Sequence, residues 1–324
     1  MLYKKKLFLL GITATLLAII YILTLVLDPT RTNARNERFT WFLPDSRDEA
    51  DRIELMRRGE KLELFFKEGS WYTLLGHADA SVEVPVRQGR IDDLFRLLST
   101  RGAFPRRGSS NKSHEELGLD GSTRLVIRGG KGLPLLDLLV GKDDSLGKSV
   151  FLRKNGENEF RSGDKLIGTY VNGDTNSWLN LKLFEDASVA QVQRVLVNFS
   201  DFYGIGEEIS LVPYSNYVIT RSDDNWLMDG TLTLDKDRTE NWIRAILEAQ
   251  GEKIIASETE LDNSFSAAAR ILVEFGDGSI FDFQIEEPDE TEKSMALVSG
   301  KPYYFVLSQW TAIRLLRGKD FFRQ

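Results

Sequence analysis

Beyond residue 50 the chain runs twice through the same order of strand, turn and helix patterns. Each run opens with an alternating segment, at residues 52–55 and again at residues 194–197. A turn then leads to a tryptophan, Trp71 in the first run and Trp226 in the second. Such self-similarity is the sequence signature of repeated structural units. We therefore expect two units of similar fold rather than one continuous core.

The two runs stay parallel after the tryptophan. A helix is expected in each, because apolar residues recur at the spacing of one helix face, at i, i+3, i+4 and i+7 from Ile91 to Leu98 and at steps of three and four from Trp242 to Leu247. Two β-hairpins follow each helix, and glycines at their turns supply the positive φ that hairpin loops need. The offset between matching residues varies along the chain, as loop insertions in a diverged duplication would cause.

These patterns predict an α+β fold: an N-terminal transmembrane helix followed by two tandem, diverged copies of a mainly antiparallel β-sheet unit with covering helices. The predicted cytoplasmic tail and anchor occupy residues 1–27, a linker 28–50, the first copy 51–188 and the second copy 189–324. Tryptophans recur at matching places in the two copies, which favours core packing over ligand stacking. They are Trp71, Trp178, Trp226, Trp242 and Trp310.

Leu7 to Leu27 forms an apolar run of 21 residues without a charge, which is the pattern of a membrane-spanning helix. At about 1.5 Å per residue it spans a hydrocarbon core of roughly 30 Å. The apolar part of a cleaved signal peptide is usually about 7–15 residues long and ends at a small-residue site, and no such site follows this run. Gly11 within the run is small enough to let another helix approach closely. We expect an uncleaved anchor in the lipid bilayer.

Lys4, Lys5 and Lys6 directly precede the run, and positive charge favours the cytoplasmic side of a membrane. The N-terminus is therefore expected in the cytoplasm and the domain beyond the membrane. The net charge is −7 with these three lysines included, so the exported part is more acidic still. Such a surface repels phosphates, which argues against a nucleic-acid partner. The absence of cysteine excludes disulfides and thiol chemistry.

Residues 141–149 look like a phosphate-binding loop, since a glycine is followed by Gly147, Lys148 and Ser149. Five residues separate the two glycines, however, where that loop requires four. The residues after Ser149 also have a strand pattern where a helix must begin. A β-hairpin loop is the interpretation we adopt, and no cofactor is predicted.

Catalytic and metal-binding signatures are scarce. His77 and His114 lack i, i+4 spacing and no cysteine accompanies them, so a zinc site is not expected. No Gly-x-Ser-x-Gly nucleophile elbow occurs. We therefore predict no metal, no catalytic residues and no enzymatic activity. A pair of carboxylates among the 49 acidic residues stays open as a glycosidase-type alternative.

Two groups of residues are candidates for docking a partner protein. One is an acidic run that most simply forms a solvated hairpin loop, with docking to a basic partner surface as the alternative. The other is a set of tyrosines in a loop-like insertion special to the second copy. Their members are Glu286, Glu287, Asp289 and Glu290 in the first group, and Tyr203, Tyr214 and Tyr217 in the second.

Further motifs carry a family resemblance. Residues 116–120 read Glu-Leu-Gly-Leu-Asp, a hairpin ends in residues 139–141 (Leu-Val-Gly), and a second hairpin leads to Trp178 and then to Leu183 and Phe184. This order resembles the bacterial domain-of-unknown-function family 4340, whose members are often encoded beside an ABC-2-type transporter of the gliding-motility type. The resemblance implies a single-pass protein of the bacterial inner membrane, with its domain in the periplasm or extracytoplasmic space. It also implies a transporter permease or exported subunit as partner, and it carries no active-site residues.

Three functional hypotheses follow from these features. The first is a non-enzymatic, membrane-anchored accessory or scaffold protein of an ABC-2-type transporter or of cell-envelope assembly. The second is a module that binds an envelope glycan or another ligand, which predicts a concave, aromatic-lined surface. The third is an envelope hydrolase with a carboxylate pair, which predicts two facing acids with at least one raised pKa.

Overall fold

The computed structural model describes ten segments of the chain, which are residues 12–21, 38–57, 59–76, 81–121, 123–130, 132–185, 187–200, 215–256, 265–286 and 293–323. Residues 12–21 are helical, and no helix within these segments is long and apolar enough to cross a membrane. The ends of the predicted anchor lie outside the described residues, so the anchor and its orientation stay predictions from the sequence. The predicted residues outside the described part are Leu7, Gly11, Leu27, Lys4, Lys5 and Lys6.

Nine strands from the first part of the chain form one antiparallel sheet. They are β1 (Ala50–Arg57), β2 (Glu60–Lys67), β3 (Ser70–Leu75), β4 (Val82–Pro85), β5 (Arg106–Gly108), β6 (Thr123–Gly129), β7 (Pro134–Asp143), β8 (Ser149–Lys154) and β9 (Phe160–Asp164). Their spatial order is β4-β3-β2-β1-β6-β7-β8-β9-β5.

Nine later strands form a second antiparallel sheet. They are β10 (Val192–Phe199), β11 (Tyr217–Ser222), β12 (Asn225–Met228), β13 (Leu232–Thr233), β14 (Lys253–Ile255), β15 (Ala267–Phe275), β16 (Ile280–Glu286), β17 (Lys293–Val298) and β18 (Tyr304–Ser308). Their order is β13-β12-β11-β10-β15-β16-β17-β18-β14, which reproduces the first order strand by strand. The α+β class and the two tandem antiparallel sheets are therefore confirmed.

The residue registers of the two sheets also match. β1 pairs with β6 through Ile53 opposite Ile127, and β10 pairs with β15 through Val195 opposite Val273. Each pairing contains one irregularity, and it lies at the same distance before Ile53 as before Val195. The opening segments of the two copies thus correspond as the sequence repeat predicts.

Within the described residues from 38 onward, five α-helices accompany the strands: α1 (Gln88–Ser99), α2 (Lys112–Glu116), α3 (Lys165–Asn172), α4 (Lys236–Leu247) and α5 (Gln309–Leu315). Helices α1 and α4 follow β4 and β13, and each buries the apolar face that its sequence predicts. Helices α3 and α5 follow β9 and β18, and each begins at a side chain that caps a backbone N–H, Asp164 in α3 and Ser308 in α5. Short 3₁₀ turns lie at Pro44–Ser46, Thr175–Ser177, Val189–Gln191 and Lys319–Phe322.

The chain divides into two compact units. The first unit comprises residues 1–69 and 88–173, and the second unit comprises residues 70–87 and 174–324. Strands β3 and β4 therefore belong to the second unit, although the sequence repeat places them in the first copy. The predicted boundary between residues 188 and 189 stays a prediction from the sequence.

The packing of β4 explains this assignment. Val84 is fully buried in a hydrophobic cluster with Leu179 and Leu181, and Val86 forms a β-bridge with Leu179. The backbone N–H of Asn180 also donates to the carbonyl of Pro85 at 2.8 Å. The end of the β3–β4 ribbon therefore contributes to the core of the second unit.

Four of the five tryptophans are core residues, as predicted, but the prediction for Trp310 is wrong. Trp310 is 69% exposed at the second position of α5, where the matching residue of α3, Leu166, is 44% exposed. The counterpart of Trp178 is instead Phe322, and both are fully buried. The carbonyl of Trp178 accepts a hydrogen bond from the N–H of Arg87, directly before α1. The carbonyl of Phe322 accepts one from the N–H of Asp235, directly before α4. Trp71, Trp178, Trp226 and Trp242 are 4%, 0%, 1% and 2% exposed.

Residues 39–42, at the end of the predicted linker, pack on the first unit. The backbone N–H groups of Trp41 and Phe42 both donate to the carbonyl of Leu98, each at 3.2 Å. Phe42 is 2% exposed, with its ring centroid 5.3 Å from that of Phe95. This part of the linker is therefore folded against helix α1.

A buried arginine holds the same segment. Arg161 is 1% exposed, and its guanidinium lies 3.7 Å from the ring centroid of Phe39. Its Nη1 donates to the carbonyl of Phe104 at 2.8 Å, and its Nη2 pairs with the carboxylate of Glu159 at 2.5 Å. In the second sheet the equivalent position is Phe305, which is also fully buried. A buried charge is tolerated only when paired and hydrogen-bonded, and these contacts satisfy that condition.

Residues 116–120, which carry part of the family resemblance, form a turn that docks on β7. Gly118 has a φ of +70°, and the N–H of the fully buried Leu119 donates to the carbonyl of His114 at 2.7 Å. The N–H of Lys142 donates to the carbonyl of Leu117 at 2.8 Å. A Cβ at Gly141 would lie 2.3 Å from that same carbonyl oxygen. The close approach therefore requires glycine at position 141.

The Gly141→Ala substitution is expected to lower the free energy of unfolding of the first unit by about 1–3 kcal/mol, because the turn must move away from β7. The control is Gly89→Ala in helix α1, where a Cβ meets nothing within 4 Å and where alanine is favoured over glycine by about 1 kcal/mol. Urea unfolding followed by circular dichroism measures both. Equal stability of the two variants would contradict the docking role of Gly141.

The Arg161→Ala substitution is expected to speed chymotrypsin cleavage at Phe39, Trp41 and Phe42 several-fold, because the segment loses its buried partner and opens more often. Arg153→Ala is the matched control, since Arg153 also donates to a backbone carbonyl, that of Leu119 at 2.8 Å. Mass spectrometry of the early fragments identifies the cleavage sites. Unchanged cleavage in the Arg161 variant would show that Arg161 does not hold this segment.

Candidate functional site

A cleft of about 660 Å³ lies in the first unit. It is formed where β1 ends and β2 begins, by the turn after α2, by the end of β7 and by the last residue of α3. Its lining contains acidic and basic side chains, an amide, a hydroxyl and two glycines. The residues are Arg57, Glu60, Glu115, Gly118, Asp120, Thr123, Val140, Gly141, Lys142, Asp143 and Asn172.

Three of these residues form a hydrogen-bonded group at one end of the cleft. Arg57 Nη1 donates to the backbone carbonyl of Asn172 at 2.6 Å, and the Thr123 hydroxyl donates to the Asn172 side-chain oxygen at 3.4 Å. The Asn172 amide donates in turn to the carbonyl of Gly168 at 3.0 Å. Arg57 also pairs with Glu60 at 3.3 Å. This end of the cleft is therefore a preorganised polar surface.

The equivalent positions of the second unit are apolar. Arg57 lies opposite Thr123 between β1 and β6, and Phe199 lies opposite Ala269 at the same place between β10 and β15. Counting from the helix caps, Leu316 after α5 corresponds to Asn172. Phe199, Ala269 and Leu316 all belong to the hydrophobic core of the second unit.

The charged side chains that α2 and the end of β7 contribute to the cleft are exposed. Lys142 Nζ donates to the backbone carbonyl of Glu116 at 3.0 Å. Asp143 pairs loosely with Lys165 at 3.6 Å. Glu115 is exposed on α2 and makes no ion pair within the part of the chain that the structure describes.

The loop at residues 141–149 is the hairpin loop that the sequence predicts. β7 ends at Asp143 and β8 begins at Ser149. The Asp144 carboxylate accepts bonds from the backbone N–H of Lys148 at 2.8 Å and from the Ser149 hydroxyl at 2.9 Å. The hydrogen bond from the Lys148 N–H lowers the pKa of Asp144, and the hydrogen bond from the Ser149 hydroxyl contributes next. Donors that would face a phosphate in a phosphate-binding loop are thus used by Asp144.

A ladder of ion pairs crosses the solvent face of the first sheet. Glu54 on β1 pairs with Arg128 on β6 at 2.9 Å and with Lys61 on β2 at 3.5 Å. Burial opposes ionisation of Glu54, but the hydrogen bond from Arg128 and the charge of Lys61 outweigh it and lower its pKa. Arg124 makes a bidentate pair with Asp137 at 2.6 and 2.5 Å, and this hydrogen bond lowers the pKa of Asp137.

The second sheet repeats one step of this ladder. Arg270 makes a bidentate pair with Asp282 at 2.8 and 2.5 Å, between strands β15 and β16. These residues occupy the same diagonal register as Arg124 and Asp137 do between β6 and β7. The pair therefore belongs to the repeated fold, because cross-strand opposite charges stabilise an antiparallel sheet.

Most of the predicted docking residues lie outside the described part of the chain, and the others are partly or wholly committed to the fold. Tyr217 is 2% exposed, and its hydroxyl donates to the carbonyl of Arg317 at 2.5 Å, so the structure removes it from a docking surface. Burial raises the pKa of Tyr217 well above its usual range. Glu286 ends β16 and accepts from the N–H of Ser266 at 3.2 Å. Outside the described residues lie Tyr203, Tyr214, Glu287, Asp289 and Glu290.

Histidine and acidic side chains are the residues of this chain that could bind a metal ion. His114 is buried, with Nε2 3.0 Å from the carbonyl oxygen of Asn158 and its ring edge-on to Phe160, and His77 lies outside the described residues. Among the residues that the structure describes, no group of three or more His, Cys, Asp or Glu is arranged to hold a metal ion. His114 is thus a packed and hydrogen-bonded residue of the first unit.

Sequence reasoning did not find the cleft. Its lining comes from five separate stretches of the chain, and the residues have no common spacing. One signal was present in the repeat, since Arg57, Thr123 and Asn172 stand where the second copy has Phe199, Ala269 and Leu316. That signal can be read only once the strand registers are known.

The chain was compared with known proteins. No family model, no curated protein and no solved structure matches it. The resemblance to family 4340 therefore stays a prediction from the sequence motifs.

The Glu54→Gln substitution is expected to lower the melting temperature at pH 7 by a few degrees, because Arg128 and Lys61 lose a shared carboxylate. The folded-state pKa of Glu54 is lowered, so its stabilisation is present above the unfolded pKa of about 4.3. It is lost as the pH falls through the lower folded value. The difference between wild type and variant should therefore shrink between pH 5 and pH 3.

Thermal unfolding across this pH range measures the effect, with Glu248→Gln as the control because Glu248 is exposed at the end of α4. That control should match the wild type at each pH. A difference for Glu54→Gln that stays constant with pH would show that the charge of Glu54 does not contribute.

Proposed function

We propose that the chain is a non-enzymatic, membrane-anchored accessory or scaffold protein that binds a membrane-protein partner through its anchor and through the surfaces of its two β-sheet units. One observation carries this proposal: an uncharged run of 21 residues at the N-terminus precedes two nine-stranded sheets of the same strand order. An anchor of this length suits a single span of the bilayer. A repeated sheet offers two related surfaces that stand at the same membrane.

The titratable side chains that could act in catalysis support a binding role instead. Asp144 is used in a turn and His114 in packing. Arginine, lysine or backbone donors lower the pKa of Glu54, Asp137 and Asp229, each of which is paired with a basic side chain. A general acid needs a raised pKa to hold its proton near neutral pH. These carboxyls are therefore suited to ion pairs.

The family resemblance supports the identity of the partner. It points to the permease or the exported subunit of an ABC-2-type transporter in the bacterial inner membrane. The acidic exported part would meet a basic surface on that partner, since complementary charge accelerates and orients association.

Affinity purification of the full-length protein from its native membrane in mild detergent tests this proposal. Mass spectrometry is expected to recover an ABC permease and its ATPase. A variant in which residues 7–27 are replaced by an unrelated transmembrane helix is the matched control, and it should lose or weaken the association. Recovery of the protein alone, in detergent that keeps other transporters intact, would contradict the proposal.

An extracytoplasmic ligand-binding module is the second candidate, and the cleft of the first unit favours it. From the sequence, this hypothesis predicted a concave, aromatic-lined surface. The described lining of this cleft is instead charged and hydrogen-bonding, and Val140 is the one apolar side chain among those described residues. A ligand of this cleft would therefore be small and polar.

A further inference from the structure

One stretch of the first unit is basic, although the chain as a whole is acidic. Residues 94–114 contain five arginine or lysine residues and no aspartate or glutamate, and the structure describes all of them. The net charge of the chain is −7. Four of the five basic residues follow helix α1, and all four are exposed. These four side chains, here named the basic edge, are Arg101, Arg106, Arg107 and Lys112.

The contacts of the basic edge leave most of its charge without an acidic partner. Arg106 forms an ion pair with Glu159 at 3.1 Å. Arg107 Nε donates to the hydroxyl of Ser162 at 2.8 Å, which positions the guanidinium and does not neutralise it. The other two cations of the basic edge form no ion pair within the residues that the structure describes. Three of the four cations are therefore available to an anion.

The repeated fold does not require this edge of the sheet to be basic. Arg106 on β5 lies opposite Arg161 on β9, and Ile254 on β14 lies opposite Phe305 on β18 in the second sheet. Ile254 is 4% exposed, whereas Arg106 is exposed. Residues 248–253, which lead into β14, contain two glutamates and one lysine. The basic edge is thus particular to the unit that follows the predicted anchor.

Backbone contacts hold the basic edge beside the segment that comes from the predicted anchor. The N–H of Gly102, next to the first arginine of the edge, donates to the carbonyl of Phe39 at 3.2 Å. Arg161 joins the same segments, since it lies over the Phe39 ring and donates to the carbonyl of Phe104. Phe39 follows Leu27, the end of the uncharged run, by twelve residues. A chain of that length spans at most roughly 40 Å, so the basic edge is tethered within reach of the membrane surface.

A tethered basic surface matches the chemistry of anionic lipid headgroups. Each lysine or arginine close to an anionic membrane strengthens binding about fivefold, and arginine pairs with phosphate through two parallel hydrogen bonds. The tether raises the effective concentration of the surface, so a few charges suffice. The attraction acts over about 8 Å at physiological salt. Acidic side chains elsewhere on the domain therefore do not cancel it.

We propose that the basic edge docks the first unit on anionic phospholipids of the membrane that the N-terminal run enters. This inference rests on the anchor of the proposed function and adds the lipid surface as a second partner. Arg101 and Lys112 supply most of the attraction, because they have no acidic partner among the described residues. Docking holds the first unit against the bilayer, where a membrane-protein partner meets it in a fixed orientation.

Fluorescence quenching of the full chain in lipid nanodiscs tests the docking. The chain contains no cysteine, so Ser110→Cys provides a single labelling site at an exposed position between Arg107 and Lys112. A trace of lipid with a nitroxide on its headgroup quenches a fluorophore that lies close to the bilayer. We expect at least twofold stronger quenching when one third of the phosphatidylcholine is replaced by phosphatidylglycerol, and loss of this difference at high salt. Equal quenching in both lipid mixtures overturns the proposal.

Matched double variants identify the residues that dock. Arg101→Gln with Lys112→Gln should lower the ratio of docked to free domain at least fivefold, whereas Arg101→Lys with Lys112→Arg keeps the charges and should keep the response. Lys236→Gln with Lys253→Gln removes the same charge from exposed positions of the second unit and should change nothing. All four positions are exposed, so melting curves are expected to match the wild type. Equal loss in the two glutamine variants, or loss in the charge-conserving variant, contradicts docking by the basic edge.

The docking and the proposed function can fail separately. The chain in which an unrelated transmembrane helix replaces residues 7–27 stays in the bilayer, and it should keep the response to phosphatidylglycerol while it loses the transporter. Absence of the lipid response in this chain and in the wild type overturns the docking, whatever co-purifies. A lipid response without co-purification of a permease overturns the accessory role and leaves the docking in place.

Discussion

The pairing of one central strand with another holds each sheet together. In the first sheet β4, β3, β2 and β1 form one meander, β6, β7, β8 and β9 form another, and the contact of β1 with β6 joins them. The same contact in the second sheet is that of β10 with β15. These partners are distant in the chain, so their pairing carries a loop-closure cost that neighbouring hairpins avoid. Burial of apolar side chains offsets that cost. Ile53 lies opposite Ile127 and Val195 opposite Val273, and all four are fully buried.

The edges of both sheets are short, and this limits the ways in which the proposed partner can bind. Strands β5 and β14 have three residues each, β13 has two, and β4 ends in Pro85. Short edges and proline limit the addition of a further strand, because few unpaired N–H and C=O groups are presented in line. A partner is therefore expected to contact side chains on faces and loops, which suits recognition by charge.

Much of the fold could be predicted from the sequence, because strand alternation, helix periodicity and turn glycines are local. The helix faces of α1 and α4, the hairpin loop at 141–149 and the order of the repeat follow from these patterns. The match of Trp178 with Trp310 failed because it relied on residue type. Backbone hydrogen bonds instead relate Trp178 to Phe322, since the carbonyl of each caps the approach to a helix.

The candidate site could not be predicted because it depends on contacts across long stretches of the chain. Arg57 meets Asn172 through a hydrogen bond between residues 115 positions apart. The sequence contains no local sign that these two residues are neighbours. The docking prediction for Tyr217 was wrong because it assumed an exposed side chain. A tyrosine at the start of a strand can instead point inward and donate its hydroxyl to a backbone carbonyl, as Tyr217 does.

Comparison of the two copies separates the features that both copies share from those that only one copy has. The diagonal arginine–aspartate pairs and the buried tryptophans of β3 and β12 occur in both, so they belong to the common architecture. Arg161 and Arg57 occur only in the first, where the second has Phe305 and Phe199. A buried apolar residue replaced by arginine costs stability unless new partners satisfy the guanidinium. In the first unit Arg161 holds the segment next to the predicted anchor, and Arg57 lines the cleft. The features that distinguish the first unit from its counterpart are thus the ones with the strongest physical case for function.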